Sequence, residues 1–248
     1  MQVVILCGGK GTRAYPYTEY LPKPMMPIAG APILQHVMRI YAAHGHTEFI
    51  LSLGYRKEII VDYFHRKHLP FDIEFVDTGG ETDTGGRIKN LRHMLGDRFM
   101  ATYADGLSDV SIPKLLDFHE SHGGSATVTS VPLVSQYGTI DMDDTGKIAH
   151  FREKPLMQGF WINAGFFVFD RRVFDMWEGS NLEKQIMPNL VKQGQIFAYR
   201  HDGFFKSMDT HKDQQEIEAM YEAGEMPWRV TGDEAHFDAQ DVIQTAHG

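Results

Sequence analysis

Apolar positions along the chain alternate between two periods. Val3 to Cys7 is a continuous run of five apolar residues ending at Gly8-Gly9-Lys10-Gly11. Such a run reads as a strand buried on both faces, as in a parallel sheet. From Ala31 to Ala43 the apolar residues Ile33, Leu34, Val37, Met38, Ile40 and Tyr41 repeat at helical spacing, and Gly45 stops the pattern. Phe49–Leu53 is a second strand closed by Gly54, Lys57–His68 a short helix, and Ile73–Val76 a third strand. A polar loop, Asp77–Asp83, precedes Thr84-Gly85-Gly86-Arg87, which opens a helix reaching Leu95. Phe99–Tyr103 is a fourth strand running into Ala104-Asp105-Gly106. Pro113 sits in the first turn of the next helix, where its missing N–H costs nothing, and Ala126–Val131 is a fifth strand. This alternation predicts an α/β fold: a doubly wound, mostly parallel, Rossmann-like sheet. In such folds ligands sit beyond the carboxyl ends of the strands. The glycine loop, the Thr84–Arg87 turn and Asp105 all fall at such ends.

The second half changes character. Tyr137–Asp141, the turn Asp143–Gly146 and Lys147–Arg152 read as a hairpin, followed by Glu153-Lys154-Pro155. Trp161–Phe169 is aromatic-rich and carries Asn163-Ala164-Gly165. Leu182–Lys192 is helical with an interruption at Pro188. Ile196–Tyr199 and Phe204–Met208 are strand-like, the latter reaching Asp209-Thr210, and His211–Gly224 is a final helix. The expected organisation is one domain over 1–230, its second half a β-rich layer on the same sheet. Residues 231–248 contain four acids and no Lys or Arg, the pattern of a solvated tail.

Composition narrows the function classes. A formal charge of −9 argues against a nucleic-acid surface, though a local basic pocket remains compatible with it. One cysteine, Cys7, allows no internal disulfide and fits a reducing compartment; at a strand end it reads as packing rather than chemistry. No apolar run is long enough to span a membrane, and the first residues lack the basic n-region of a signal peptide, so the cytoplasm is the expected compartment. Thirteen histidines are scattered without zinc spacing.

The glycine loop carries the first candidate chemistry. Its backbone N–H groups can nest an anion, and Arg13 offers a planar fork for phosphate oxygens. Gly9 to Ala14 formally fits a dinucleotide fingerprint, but that motif requires a helix opening there and an acid about 20 residues on. Pro16, Pro22, Pro24 and Pro27 forbid the helix, and no acid lies around 30–36. A Walker loop ends Gly-Lys-Ser/Thr, whereas this one ends Gly11-Thr12-Arg13. A plain strand–turn is the remaining alternative. It does not explain Leu21-Pro22-Lys23-Pro24-Met25, where two prolines stiffen the chain around a lysine and so aim its ammonium.

G-G-x-G-T-R followed some ten residues later by P-K-P resembles the sugar-1-phosphate nucleotidyltransferase family. Tyr103–Asp109, Glu153-Lys154-Pro155, Asn163–Phe167 and Met208-Asp209-Thr210 resemble it in order and spacing. Val76–Gly79, Thr84–Arg87 and Pro227-Trp228 look specifically like its glucose-1-phosphate cytidylyltransferases. The likeness covers about residues 1–230. It implies a glycosyltransferase-A-like architecture, with a nucleotide-binding part over about 1–132 and a sugar-binding part over about 133–230. The implied reaction is NTP plus sugar 1-phosphate giving NDP-sugar and pyrophosphate with Mg²⁺. CTP is the expected nucleotide, and uridylyl or thymidylyl transfer is the runner-up. Gly8, Gly9, Gly11, Thr12 and Arg13 would cradle the phosphates, with Leu6, Gly85 and Gly86 at the base. Lys23 would neutralise the reacting phosphate. Asp105 and Asp209 would bind Mg²⁺. Gly106, Glu153, Lys154, Asn163 and Gly165 would form the sugar-phosphate pocket. A homo-oligomer is expected as well, but the segment between Phe64 and Val76 is shorter than in those cytidylyltransferases, and the insertion it lacks resembles an oligomer or partner-subunit element. Transfer to another phosphorylated acceptor and a catalytically silent nucleotide-sensing subunit are the rival readings. Asp109 reads as a helix cap. Ala104 stands where the family more often has glycine, and its methyl could alter backbone freedom or crowd the ribose.

Overall fold

The computed structural model describes residues 1–11 and 17–229. Strand β1, Val3–Leu6, lies inside a seven-stranded sheet. The other members are β4 (Glu48–Leu53), β5 (Asp72–Asp77), β6 (Arg98–Tyr103), β8 (Ala126–Val134), β11 (Leu156–Asp170) and β12 (Ile196–Arg200), in the order β12-β8-β11-β6-β1-β4-β5. All neighbours pair parallel except β11, which is antiparallel to both β6 and β8. The short strands β2 (Pro27–Ile28) and β3 (Ala31–Pro32), β7 (Gly106–Ser108) and β13 (Phe205–Ser207), and β9 (Thr139–Met142) and β10 (Ile148–Arg152) form three separate antiparallel pairs.

Burial on both faces explains the unbroken apolar strands. Val3 and Ile5 of β1 face a core shared with helices α1 (Ile33–Ala42), α2 (Lys57–Arg66), α4 (Ile112–His122) and α6 (His211–Glu222). Val4 faces the opposite core, built with Ile88 of α3 (Thr84–Asn90), Leu190 of α5 (Met187–Lys192), and Trp177, Leu182 and Ile186.

Several boundaries differ from the sequence reading for physical reasons. Helix α3 ends at Asn90, not Leu95. Beyond it, Leu91, Arg92 and Met94 donate to carbonyls three residues back, and Gly96 N–H turns to Gln2 Oε1 at 3.0 Å. Leu91 and Leu95 stay buried although they have left the helix. Before Pro188 the chain makes a π-helical turn, Leu182–Ile186, and only then the α-turns of α5. Strand β11 extends far beyond Trp161–Phe169, but it is irregular where Asn163-Ala164-Gly165 sits. Its pairing with β8 shifts register between Asn163 and Phe167, and Gly165 has φ +79°. This bulge lies at the carboxyl end of β6, whose pairing with β11 begins at Phe166 opposite Thr102. Among the described residues no helix is long and apolar enough to cross a membrane.

Candidate active site

The carboxyl ends of β1, β4 and β5 meet at one buried guanidinium. Arg87 donates to Leu53 O at 3.0 Å, Thr78 Oγ1 at 2.8 Å and Gly8 O at 3.0 Å. Gly8 is a glycine because of this neighbour: a Cβ there would lie 1.8 Å from Arg87 Nη1. Gly9 is the opposite case, exposed and with open space where a side chain would stand. The loop therefore has one glycine facing the protein and one facing outward, where a phosphate can approach the backbone. Leu6, partly exposed at the last position of β1, borders the same loop.

Lys23 lies in a single 3₁₀ turn, Lys23–Met25, held between Pro22 and Pro24. Pro22 fixes the entry dihedral, and Met25 N–H bonds Pro22 O at 2.8 Å. Gly11, at φ +60°, packs so closely that its Cβ would come within 2.8 Å of Lys23 Cβ. The lysine is thereby wedged against the loop. Its ammonium bonds Asp105 Oδ2 and, at 2.7 Å, Asp209 Oδ1. Burial alone would lower the Lys23 pKa; the carboxylates of Asp105 and Asp209 outweigh it and hold the ammonium above the usual lysine range.

Two local structures bring these acids together across 104 residues of chain. Strand β13 pairs with β7, Ser207 opposite Gly106, and Met208 N–H donates to Asp105 O at 2.9 Å. Helix α6 then fixes Asp209 from the other side. Asp213 Oδ2 accepts from Asp209 N at 3.0 Å and from Thr210 N at 2.7 Å, completing a capping box with Thr210. Among the described residues no group of three or more His, Cys, Asp or Glu forms a complete metal-ligand set. Two carboxylates that already converge on one cation still suit Mg²⁺, which takes oxygen ligands and retains several waters.

Tyr103 stands at the end of β6 beside this cluster. Asn163 Nδ2 donates to its hydroxyl at 3.2 Å, Asn163 Oδ1 accepts from Gly165 N at 2.8 Å, and a Cβ on Gly165 would enter the Tyr103 ring at 2.2 Å. Gly106 packs beside the Phe205 ring, 3.3 Å from where its Cβ would be. Glu153 and Lys154 are exposed in the turn between β10 and β11, with Lys154 in the left-handed region at φ +44°. On α6 the Lys206 ammonium, 2.6 Å away, holds the Glu216 carboxyl below its usual range. Gly85 is buried: its Cβ would lie 2.1 Å from Ile186 Cδ1. Gly86 N–H donates to Ser180 O at 2.7 Å.

The structure thus joins Lys23, Asp105 and Asp209 directly and sets Gly8, Gly9, Gly11, Gly106, Asn163 and Gly165 around them. Thr12, Arg13 and the 231–248 tail lie outside the described residues. Asp109 does not cap a helix. Ser111 caps α4 by accepting from Lys114 N, and Asp109 pairs with His201 at 2.8 Å. Ala104 keeps a negative φ and buries its methyl in the core, so it neither strains the backbone nor projects outward. Cys7 is buried, and burial pushes its thiol well above the usual range, so it packs and does not react. Sequence reasoning missed Arg87, Tyr103 and Glu183 as organisers of the site. Arg87 reaches Thr78, Leu53 and Gly8, which lie 9, 34 and 79 residues away, and Tyr103 reaches Asn163 and Glu183, 60 and 80 residues away; only Arg87, next to two glycines, gave a local hint.

Known proteins resemble this chain over most of its length. A model of the nucleotidyl transferase family matches residues 2–225. A probable glucose-1-phosphate cytidylyltransferase of Bacillus subtilis is 40% identical, covering 93% of this chain and 100% of that protein. The glucose-1-phosphate cytidylyltransferase of Salmonella typhi is 36% identical over 93% and 99%. Among solved structures, HddC from Yersinia pseudotuberculosis shares the fold at TM-score 0.71 and 23% identity, covering 89% of this chain and 99% of that one. With the matched model spanning the glycine loop, Lys23, Asp105 and Asp209, the chain belongs to the nucleotidyl transferase family and is a nucleotidyltransferase.

Proposed function

We propose that this protein transfers a cytidylyl group from CTP to a sugar 1-phosphate, glucose 1-phosphate first among candidates, releasing pyrophosphate. The bridging of Asp105 and Asp209 by Lys23 carries the reading. It puts a cation and two carboxylates beside a loop with room for phosphate. The two cytidylyltransferase relatives, similar over essentially their whole length, favour cytosine and glucose 1-phosphate.

An ionised oxygen of the sugar phosphate attacks the α-phosphorus of the nucleotide. The new P–O bond forms as the α–β bridging bond breaks, and its electron pair leaves with pyrophosphate. The attacking oxygen is already charged, so no general base is needed, and positioning with charge stabilisation carries the rate. Gly9 and Gly11 receive the triphosphate, and Thr12 and Arg13, next in the sequence, are assigned to the same role. Gly85 and Gly86 border the base, and Glu153, Lys154, Asn163, Gly165 and Gly106 the sugar phosphate. Lys23 exchanges its carboxylate partners for phosphate oxygens. Asp105 and Asp209 would hold Mg²⁺, which supplies charge neutralisation at the reacting phosphates. Lys23→Ala and Asp105→Ala should each lower kcat by roughly 10²–10³ or more while the fold persists. Wild-type turnover in either variant, measured by pyrophosphate release, rejects these roles.

A homo-oligomer in the cytoplasm completes the proposal. Its support is the apolar surface on and around the β9–β10 hairpin, where Met142, Phe151, Leu156 and Phe160 are all exposed. A monomer by light scattering at assay concentration rejects the oligomer.

A further inference from the structure

One half-buried carboxylate outside the Lys23 cluster touches both sides of the site. Glu183 accepts from the Tyr103 hydroxyl through Oε1 and from Thr84 Oγ1, at 2.7 Å, through Oε2. Thr84 Oγ1 in turn accepts from Leu182 N at 3.0 Å. Each hydroxyl thus has one donor and one acceptor, and both carboxylate oxygens are used.

The two arms of this bridge end at the two proposed substrate walls. Through Tyr103 it reaches Asn163 and the Gly165 bulge, whose backbone the phenol ring supports. Through Thr84 it reaches the start of α3, where Gly85 and Gly86 follow directly. Those glycines are held to the same segment as Glu183: Gly86 N–H donates to Ser180 O at 2.7 Å, and Trp177 Nε1 donates to Gly85 O at 3.2 Å. Glu183 itself lies in the π turn Leu182–Ile186, a helix form that recurs at functional sites. Asn181 Oδ1 caps that turn by accepting from Lys184 N at 2.8 Å.

We propose that Glu183 is a positioning residue that locks the nucleotide side of the site, through Thr84, in register with the acceptor side, through Tyr103 and Asn163. The inference rests on the reading above, in which Gly85–Gly86 face the nucleotide and Asn163 faces the sugar phosphate. In-line transfer needs the two substrates aligned to within a fraction of an ångström. A single carboxylate hydrogen-bonded to both walls supplies that rigidity. The Tyr103 hydroxyl donates to Glu183 and accepts from Asn163, and these two partners fix its orientation.

The test measures kcat and KM for CTP and glucose 1-phosphate, or for the best pair of a substrate panel, in Glu183→Gln, Tyr103→Phe, the double variant and Asn163→Ala. Glu183→Gln keeps the shape and removes one acceptor. It should raise KM for both substrates by about 10- to 150-fold, the range for one lost hydrogen bond to a charged group. Tyr103→Phe should weaken the acceptor more than the nucleotide. The double variant should be no worse than about twice the poorer single one, because the two residues act as one unit. A folded Glu183→Gln enzyme with both KM values unchanged overturns the proposal, as do multiplicative effects in the double variant. Asn163→Ala separates the two claims. A raised sugar-phosphate KM there, with Glu183→Gln unaffected, overturns the coupling alone. An unchanged KM in Asn163→Ala overturns the substrate reading beneath it.

Discussion

At the scale of single residues, the site is held by close fits that tolerate no added atom. Gly8 shows this best. A Cβ 1.8 Å from Arg87 Nη1 would expel the guanidinium from three acceptors at the ends of β1, β4 and β5. Gly8→Ala should therefore destabilise the protein by about 2–4 kcal/mol, the range for breaking a buried hydrogen-bonded network, measured by chemical denaturation. Gly9→Ala, with open space around it, should leave stability within about 0.5 kcal/mol. Equal losses in the two variants would contradict the assignment of Gly8 to Arg87. The glycine motif itself was legible in the sequence, but its physical cause was only half legible. Gly9 fits the expected approach of a ligand, whereas Gly8 answers to an arginine 79 residues away. Lys23 was more legible, because flanking prolines announce a stiff segment. What it grips was not, since the two acids reach it from two distant strand ends.

At the scale of elements, the strand–helix alternation came through almost whole, because apolar runs and helical spacing are local signals. Boundaries moved where hydrogen-bond geometry, not hydrophobicity, decides them. Thus α3 tightens into turns although Leu91 and Leu95 remain apolar and buried, and the chain before Pro188 widens into a π turn. The start of α6 has a functional consequence. The carboxylate of Asp213 serves both as the capping-box partner of Thr210 and as acceptor for the backbone of Asp209. Asp213→Ala should cost about 1 kcal/mol of stability, as lost caps do, and also lower kcat, because Asp209 loses its anchor. A melting temperature that falls with kcat unchanged would show the cap to be structural only. The Asn163–Gly165 motif was visible in the sequence, but its form as a bulge at the end of β6 depends on pairing with β8 and β6 at once.

At the scale of the whole molecule, the candidate active site lies at the carboxyl ends of the parallel strands, and a separate polar cluster lies on the other side of the fold. His119 is buried there between Thr127, at 2.7 Å, and Asp170, at 3.2 Å. Burial lowers its pKa from the ordinary 6.5, against the pull of Asp170. Burial likewise lowers His122, which also contacts Thr127, at 2.7 Å. The unfolded chain then binds these protons more tightly than the folded one. Their linkage leaves stability intact above about pH 6.5 and erodes it as pH falls below that value. Asp170 adds a second loss at lower pH. Burial would raise its pKa, but hydrogen bonds from Arg98 and His119 outweigh this and hold it below 3.8. Thermal unfolding from pH 8 to pH 4 should thus show a melting temperature that declines below pH 6.5, and His119→Gln should flatten that decline. A profile identical in wild type and variant would contradict the assignment. None of this cluster was legible in the sequence, where thirteen scattered histidines give no spacing signal.

Lys23, Asp105 and Asp209 are proposed as the reacting centre of a nucleotidyltransferase that prefers CTP. The most direct measurement is pyrophosphate release with Mg²⁺, crossing CTP, UTP, dTTP, ATP and GTP with a panel of sugar 1-phosphates, in wild type beside Lys23→Ala. Turnover should be highest with CTP and glucose 1-phosphate and fall at least about 10²-fold in the variant. Highest turnover with another nucleotide would contradict the base assignment. Silence across the whole panel, or equal turnover in Lys23→Ala, would contradict the account at its centre.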